Sequence, residues 1–229
     1  MTSTIKVPKC WEAFDDALSS GARVVLAYGP PGTGKSYGGM KLGLKDTQMV
    51  YRLPCHADLH EGHLTGQDRP KRGDWLWREG MAIKAWQESA RLVIDEVDLA
   101  PQEVRGLLQL VLDSPDSARW THPDTGYTVM PGKDFSCVLT MNGDPSHLPP
   151  PILDRVDVTI LIDAVHPSAL QKYPEAVRPV IADMIHHGKT SLRKVDAFYR
   201  MQENGLSVSR AAALVWPGNK EIGTLLALA

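Results

Sequence analysis

The feature that most constrains this chain is an eight-residue run, Gly29-Pro-Pro-Gly-Thr-Gly-Lys-Ser36, between the apolar run Val24–Tyr28 and a helical pattern. The run fits G-x-x-x-x-G-K-S/T, a pattern typical of loops that bind phosphate. Its two prolines have no N–H group, so the donors to an anion must be the backbone amides of residues 32–36. Gly32 and Gly34 allow the backbone to curl around oxygen atoms, and the following helix directs free N–H groups at the same anion. An ordinary glycine-rich turn is the alternative interpretation.

The two side chains that end this run extend the expected site. Lys35 supplies a positive charge for the β- and γ-phosphates of a nucleotide, and the Ser36 hydroxyl is a ligand for Mg²⁺. The residues expected to bind the nucleotide are Gly29, Pro30, Pro31, Gly32, Thr33, Gly34, Lys35, Ser36 and, from a second motif, Asp95.

The second motif is Leu92-Val-Ile-Asp-Glu96, which places two carboxylates at the carboxyl end of an apolar run. Open α/β sheets bind their ligands at this end of the strands. Asp95 would hold Mg²⁺ through its water shell, and Glu96 would act as the general base that polarises the attacking water. The alternative is a solvated acidic turn before the helix that begins near Pro101. Asp98, the third acid, is expected to be structural.

Short apolar runs alternate with helical patterns along the first two thirds of the chain, which predicts an α/β layered domain with right-handed crossovers. The predicted strands are 24–28, 49–53, 92–94, 136–140 and 158–162, and the predicted helices are about 11–19, 36–45, 80–89 and 101–112. Beyond a boundary near 164–167 only helices are predicted, at 167–185, 191–202 and 207–215. Ser191 and Ser207 are suitable N-caps for the last two.

The composition excludes several classes of protein. The 229 residues are 43% apolar, and 25 Lys and Arg nearly balance 27 Asp and Glu, which excludes a broad basic coat for nucleic acid. No apolar run has the ~18 residues needed to cross a bilayer, and the first residues lack the apolar core of a signal peptide. Three dispersed cysteines do not indicate a disulfide framework. We therefore expect a cytoplasmic protein without a membrane partner.

Together the motifs resemble those of the AAA+ ATPases, in particular the MoxR and dynein-related branch, over about residues 20–200. The resemblance includes Leu64-Thr-Gly66, Trp75-Leu-Trp77 with Gly80, and Gly126–Pro131 ahead of Phe135. It implies a hairpin inserted in the second helix, facing the pore of a ring, and another hairpin before the fourth strand.

The resemblance also implies roles for three polar residues. Asn142, at the end of Phe135–Asn142, would be the sensor-1 residue that orients the lytic water; a simple Asn142-Gly143 turn is the alternative. Arg155 would be an arginine finger acting on the neighbouring subunit, or else would pair with Asp154 or Asp157.

Arg193, in Ser191-Leu-Arg193, resembles the sensor-2 residue of the lid, although the family usually has Pro where Leu192 stands. This residue could act within one subunit or across an interface.

The expected fold is thus an α/β P-loop NTPase three-layer sandwich with a parallel sheet and a small C-terminal helical lid. The core would span 1–165, with inserted hairpins at about 56–80 and 119–135, and the lid 166–229. The resemblance implies Mg²⁺-dependent ATP hydrolysis by a ring, expected to be a hexamer, that remodels or helps to assemble a macromolecular client. A nucleic-acid-stimulated motor or helicase loader, and a nucleotide-gated scaffold with little turnover, are the alternatives.

Three weaker patterns allow competing interpretations. Cys55, His56, His60 and His63 have a spacing compatible with zinc, but the surrounding glycines favour a loop. Arg69–Arg72 beside two tryptophans could hold single-stranded nucleic acid, but a hairpin with a solvated tip is favoured. Residues 198–213 fit a helix-turn-helix or a lid, and their near-neutral charge favours the lid.

Overall fold

The computed structural model describes residues 7–219 and 221–228. Its strands are β1 (Val24–Tyr28), β2 (Val50–Pro54), β3 (Gly66–Lys71), β4 (Asp74–Glu79), β5 (Arg91–Asp95), β6 (Trp120–Thr121), β7 (Thr128–Val129), β8 (Ser136–Met141) and β9 (Val158–Leu161). Its helices are α1 (Lys9–Ser19), α2 (Lys35–Lys41), α3 (Glu61–Leu64), α4 (Met81–Gln87), α5 (Gln102–Leu112), α6 (Pro150–Leu153), α7 (Pro167–Leu170), α8 (Arg178–His186), α9 (Leu192–Glu203), α10 (Val208–Val215) and α11 (Glu221–Leu228).

The predicted parallel sheet is confirmed. Five strands pair in the order β2-β5-β8-β1-β9, all parallel, with Val25 of β1 opposite Val138 of β8 and Val158 of β9. All residues of β5 and the first four of β1 are buried, as expected for strands covered on both faces. The carboxyl ends of β5 and β8 therefore lie at one edge, where Asp95 and Met141 end their strands.

The described residues form two compact units. The first, which we call the sheet unit, comprises Ala13–Tyr28 and Ser36–Leu161 and contains the whole parallel sheet. The second, the helical unit, comprises Gly29–Lys35, Ile162–Ala229 and residues up to Glu12, insofar as these are described. Each unit has its own apolar core.

The core of the sheet unit forms where amphipathic helices cover the apolar strands. α4 buries Trp86, whose ring meets Phe135 edge to face at a centroid distance of 6.3 Å. Arg91 at the start of β5 is also buried, and its guanidinium donates to the carbonyls of Gly39 (3.2 Å) and Gly43 (2.8 Å) and to that of Leu42. Burial lowers the pKa of Arg91 to about 10. These bonds satisfy carbonyls at the end of α2 that have no helical partner.

The helical unit corrects one sequence expectation. The single helix predicted over 167–185 is interrupted, because α7 ends at Leu170 and α8 begins at Arg178. Pro174 between them has no N–H and has an extended ψ of 142°, and it disfavours helical geometry at the residue before it. Ser191 caps α9 through its side chain, whereas Ser207 begins α10 without a side-chain cap bond.

Two antiparallel hairpins extend the sheet unit. β3 and β4 pair from Gly66–Glu79 to Lys71–Asp74 and lie between α3 and α4 in the chain, and β6 and β7 precede β8. Within the described part of the chain, no helix is both long and apolar enough to span a membrane.

Candidate functional site

Residues Gly29–Lys35 of the expected phosphate-binding loop belong to the helical unit, and their glycines have the backbone that the sequence predicts. Gly29, Gly32 and Gly34 have φ values of 131°, 81° and 103°, a region that glycine tolerates and other residues rarely adopt. The Lys35 ammonium donates 2.8 Å hydrogen bonds to the carbonyls of Gly29 and Pro30, so it lies over the start of its own loop. Lys35 is 6% exposed, and this buried cation can exchange the carbonyls for phosphate oxygens.

The same unit brings this loop to the start of α9. A Cβ atom on Gly32 would lie 2.5 Å from the Cβ of Ser191, which is the N-cap of that helix. Arg193 is exposed in the first turn of α9. The expected sensor-2 residue therefore lies two positions from a residue in contact with the loop.

In the sheet unit, Asp95 collects hydrogen bonds at the end of β5. Its Oδ1 accepts bonds from the hydroxyls of Ser36 and Thr140, the latter at 2.5 Å. Its Oδ2 accepts a 3.1 Å bond from Arg52 Nε and a second bond from Arg52 Nη2. Burial alone would raise the pKa of Asp95, but the bonds from Ser36, Thr140 and Arg52 outweigh it and hold the pKa below its usual value. Asp95 is thus an anion at neutral pH.

The oxygen atoms of Ser36 and Asp95 are suitable ligands for a magnesium ion. A hydroxyl and an ionised carboxylate are hard oxygen ligands, and Mg²⁺ is typically bound by one or two such groups together with waters and substrate phosphates. The contact between Ser36 and Asp95 shows that both groups can reach one ion.

Glu96 follows Asp95 in a strained backbone conformation. Its φ of 56° and ψ of 51° lie in the left-handed region, which costs a non-glycine residue about 1–3 kcal/mol and occurs often at functional sites. The Glu96 N–H donates to Thr140 Oγ1 at 3.2 Å, and the Asn142 amide donates to Glu96 Oε1 at 3.3 Å. The structure therefore brings the expected base and the expected sensor-1 residue together.

Arg155 lies just after α6 and makes contacts that the sequence did not predict. Its Nη1 donates to the Pro151 carbonyl at 2.8 Å, and its Nη2 lies 3.5 Å from a carboxylate oxygen of Asp113. The expected partner Asp157 instead accepts backbone N–H bonds from Arg23 and Val24. The Arg155 side chain is 26% exposed, so part of it faces solvent.

The structure thus adds two residues that sequence reasoning missed, Arg52 and Thr140. Arg52 is a charged residue within the apolar run 49–53, and a charge inside an apolar run is a signal of a paired charge. Thr140 precedes Asn142 by two positions, and strand alternation places residues two apart on one face.

The histidine-rich segment has a structural use. His60 is the N-cap of α3 and accepts from the Gly62 N–H at 3.2 Å, while His63 Nδ1 accepts from the His60 N–H at 3.3 Å. In the part of the chain that is described, no group of three or more His, Cys, Asp or Glu has an arrangement that could hold a metal ion. Burial raises the pKa of the neighbouring Cys55 thiol to about 12.

Residues 24–156, more than half of the chain, match the family model described as the AAA domain of the dynein-related subfamily. The chain belongs to this family. A Midasin of Dictyostelium discoideum is 30% identical over 129 residues, which are 55% of this chain and 2% of that protein. An uncharacterized protein of Staphylococcus saprophyticus is 27% identical over 149 residues, covering 62% of this chain and 56% of the relative.

A further relative is the uncharacterized protein YojN of Bacillus subtilis, 27% identical over 143 residues, which are 58% of this chain and 46% of YojN. In a crystal structure of a Cytophaga hutchinsonii protein, the similar region corresponds to 67% of this chain and 44% of that protein's chain. The TM-score is 0.48 and the sequence identity is 21%. This AAA-domain chain spans about half the length of its Staphylococcus and Bacillus relatives.

Proposed function

We propose that this AAA-domain protein hydrolyses ATP in a Mg²⁺-dependent reaction. The observation that carries the proposal is the polar cluster of Ser36, Asp95, Thr140, Glu96 and Asn142 at the carboxyl edge of β5 and β8. A phosphate loop directly precedes Ser36 in the chain. Few arrangements other than a nucleotide site require a metal-binding hydroxyl, two consecutive acids and a neutral amide in this order.

The chain's residues divide the work as follows. Backbone amides of residues 32–36 and the Lys35 ammonium bind the phosphates. Ser36 and Asp95 hold Mg²⁺, which when bound neutralises the charge of the phosphate oxygens. Glu96 accepts a proton from a water molecule, whose oxygen forms a bond to the γ-phosphorus as the bond to the β–γ bridging oxygen breaks. The Asn142 amide keeps the Glu96 carboxylate and that water aligned without adding a charge.

We infer that Arg155 completes the site from a neighbouring protomer, with Arg193 adding a second cation within one subunit or across the interface. A guanidinium supplied in trans raises turnover about 10³–10⁵-fold in nucleotide hydrolases. Such a finger must reach outside its own subunit, and the partial exposure of the Arg155 side chain supports this. The proposed assembly is a ring of AAA+ subunits, expected to be a hexamer, in the cytoplasm.

The proposed work of the ring is to remodel a macromolecular client or assist its assembly, as in MoxR-like proteins. The β3–β4 hairpin supports a client-facing role, because the side chains at its tip are solvated and include Trp75, which is 70% exposed, and Leu76, which is 49% exposed. Large apolar side chains exposed on a protruding hairpin are available to contact another macromolecule.

A nucleic-acid-stimulated motor is the second candidate, favoured by Arg69, Lys71 and Arg72 on the same hairpin. A nucleotide-gated scaffold is the third, but it does not need a base such as Glu96. Steady ATP turnover by the purified chain would exclude the scaffold, and its absence would exclude the enzyme.

The decisive experiment measures the mass of the Glu96→Gln variant with and without ATP. This substitution should retain nucleotide and stop hydrolysis, so that the ATP-bound assembly accumulates at the mass of a ring. A variant that stays monomeric in every nucleotide state would overturn the role of Arg155 in trans. The wild-type chain with ADP is the matched control.

A further inference from the structure

Arg52 is a charged residue beside Asp95 that the proposed reaction does not use. It lies on β2, at the edge of the sheet next to β5, and its Nε and Nη2 both donate to Asp95 Oδ2. The Arg52 side chain is 44% exposed, whereas that of Asp95 is 8% exposed. A partly exposed cation is therefore paired with a buried acid.

The ion pair with Arg52 occupies lone pairs on Oδ2 of Asp95 that a metal ion or its water shell would need. Oδ1 accepts two hydroxyl donors and Oδ2 accepts two guanidinium donors, so both carboxylate oxygens are engaged. A buried carboxylate without a compensating cation is costly, and Arg52 removes that cost as long as no divalent cation is present. Mg²⁺ and Arg52 are then alternative counter-ions for the same oxygen.

We propose that Arg52 is a positioning residue that holds Asp95 as an ion pair before the metal ion binds, and so sets how strongly nucleotide binding depends on Mg²⁺. This inference rests on the proposed nucleotide site. Because the Arg52 side chain is 44% exposed, its guanidinium can leave Oδ2 without being buried elsewhere. Arg52 also neutralises Asp95 while triphosphate approaches without metal, which reduces repulsion between two anions.

The test compares binding of a non-hydrolysable ATP analogue in EDTA and in excess Mg²⁺. The dissociation constant in EDTA divided by that in Mg²⁺ measures the coupling between metal and nucleotide binding. Arg52→Gln should weaken binding in EDTA and raise this ratio about tenfold. Arg52→Lys, which keeps the charge, should change it less. Arg78→Gln, which removes a cation from the exposed β4, is the matched control and should leave the ratio unchanged.

A lower melting temperature for Arg52→Gln with an unchanged ratio would show a merely structural salt bridge and would overturn the inference. Should Arg52→Gln fail to fold, the ratio for Arg52→Lys decides: a rise of about twofold supports competition, and no rise overturns it. In an Asp95→Asn background the effect of Arg52→Gln should vanish. If the wild-type chain binds the analogue under neither condition, the proposed function fails instead.

Discussion

The Asn142 amide donates a 3.3 Å hydrogen bond to Oε1 of Glu96, at the point where the backbone of Glu96 is left-handed. The bond joins the loop after β5 to the end of β8, so the orientation of the carboxylate depends on two neighbouring strands. Thr140 fixes the same residue by accepting from its N–H. With its carboxylate held by Asn142 and its backbone N–H by Thr140, Glu96 is preorganised, as a general base requires.

Glu96→Gln should therefore lower ATP turnover about 10²–10⁴-fold while ATP affinity changes little, because the amide keeps the shape but cannot accept the proton. Turnover by phosphate release and binding of a fluorescent ATP analogue are the two measurements. Asp98→Asn, in the adjacent turn, is the control and should retain turnover within about twofold. Full activity of Glu96→Gln would remove the base from the mechanism.

Gly32→Ala tests the phosphate loop. A Cβ atom there would clash with Ser191 at 2.5 Å, in addition to the strain of φ at 81°. We expect nucleotide affinity to fall at least about tenfold, because the loop backbone must move. Gly21→Ala is the matched control, since φ is 93° with no atom within 4 Å of the added Cβ. It carries the same kind of backbone strain without the clash and should bind nucleotide normally.

The elements most accurately predicted from sequence are those whose pattern is local. β1 begins and ends where its apolar run does, and β5 ends at Asp95, the first acid of the acidic motif. Helical patterns on both sides of Pro174 predict one helix over 167–185, and the structure divides it into α7 and α8. Local rules of backbone geometry decided the outcome there.

The contacts within the site could not be predicted in the same way. Arg52 and Asp95 meet because β2 pairs with β5, and Asp113 meets Arg155 across 42 positions of chain. Spacing in sequence does not encode such pairings, since they arise from strand order and helix packing. The left-handed backbone of Glu96 is likewise imposed by the fold, as glutamate has no local preference for it.

The proposed action of Arg155 on a neighbouring subunit can be tested by complementation. In the single chain Arg155 is paired with Asp113. Arg155→Ala lacks the proposed arginine finger but keeps its own Glu96, and Glu96→Gln lacks the proposed base but keeps Arg155. If Arg155 acts in trans, mixing the two inactive variants should restore a measurable fraction of turnover, because some interfaces then combine both intact residues.

In this test Arg119→Ala, which removes an exposed arginine near the β6–β7 hairpin, should remain active alone. Phosphate release by the mixture is compared with that of each variant at the same total concentration. No activity in the mixture, despite ring assembly by both variants, would place the action of Arg155 within its own subunit.

The buried thiols give a prediction on pH. Burial raises the pKa of Cys55 to about 12, while an unfolded cysteine ionises near 9. Because the folded pKa is the higher one, the stabilising contribution is complete below pH 9 and is lost progressively as pH rises towards 12. At pH 8, Cys55 and Cys137 should thus react with a thiol reagent only as fast as the protein opens. Rapid labelling of Cys55 in the folded protein would contradict its burial.

The register of the β3–β4 hairpin predicts the outcome with nucleic acid. Pro70 lies opposite Trp75, whereas Arg69 lies opposite Leu76, so Trp75 and the cation at position 69 occupy opposite faces. Single-stranded nucleic acid is bound by aromatic and cationic side chains on one surface. We therefore expect single-stranded oligonucleotides to leave ATP turnover unchanged at every salt concentration from about 50 to 200 mM. Binding that depends on phosphate contacts weakens steeply over this range. Strong stimulation that falls with salt, and is lost in Arg69→Gln, would instead favour the nucleic-acid motor.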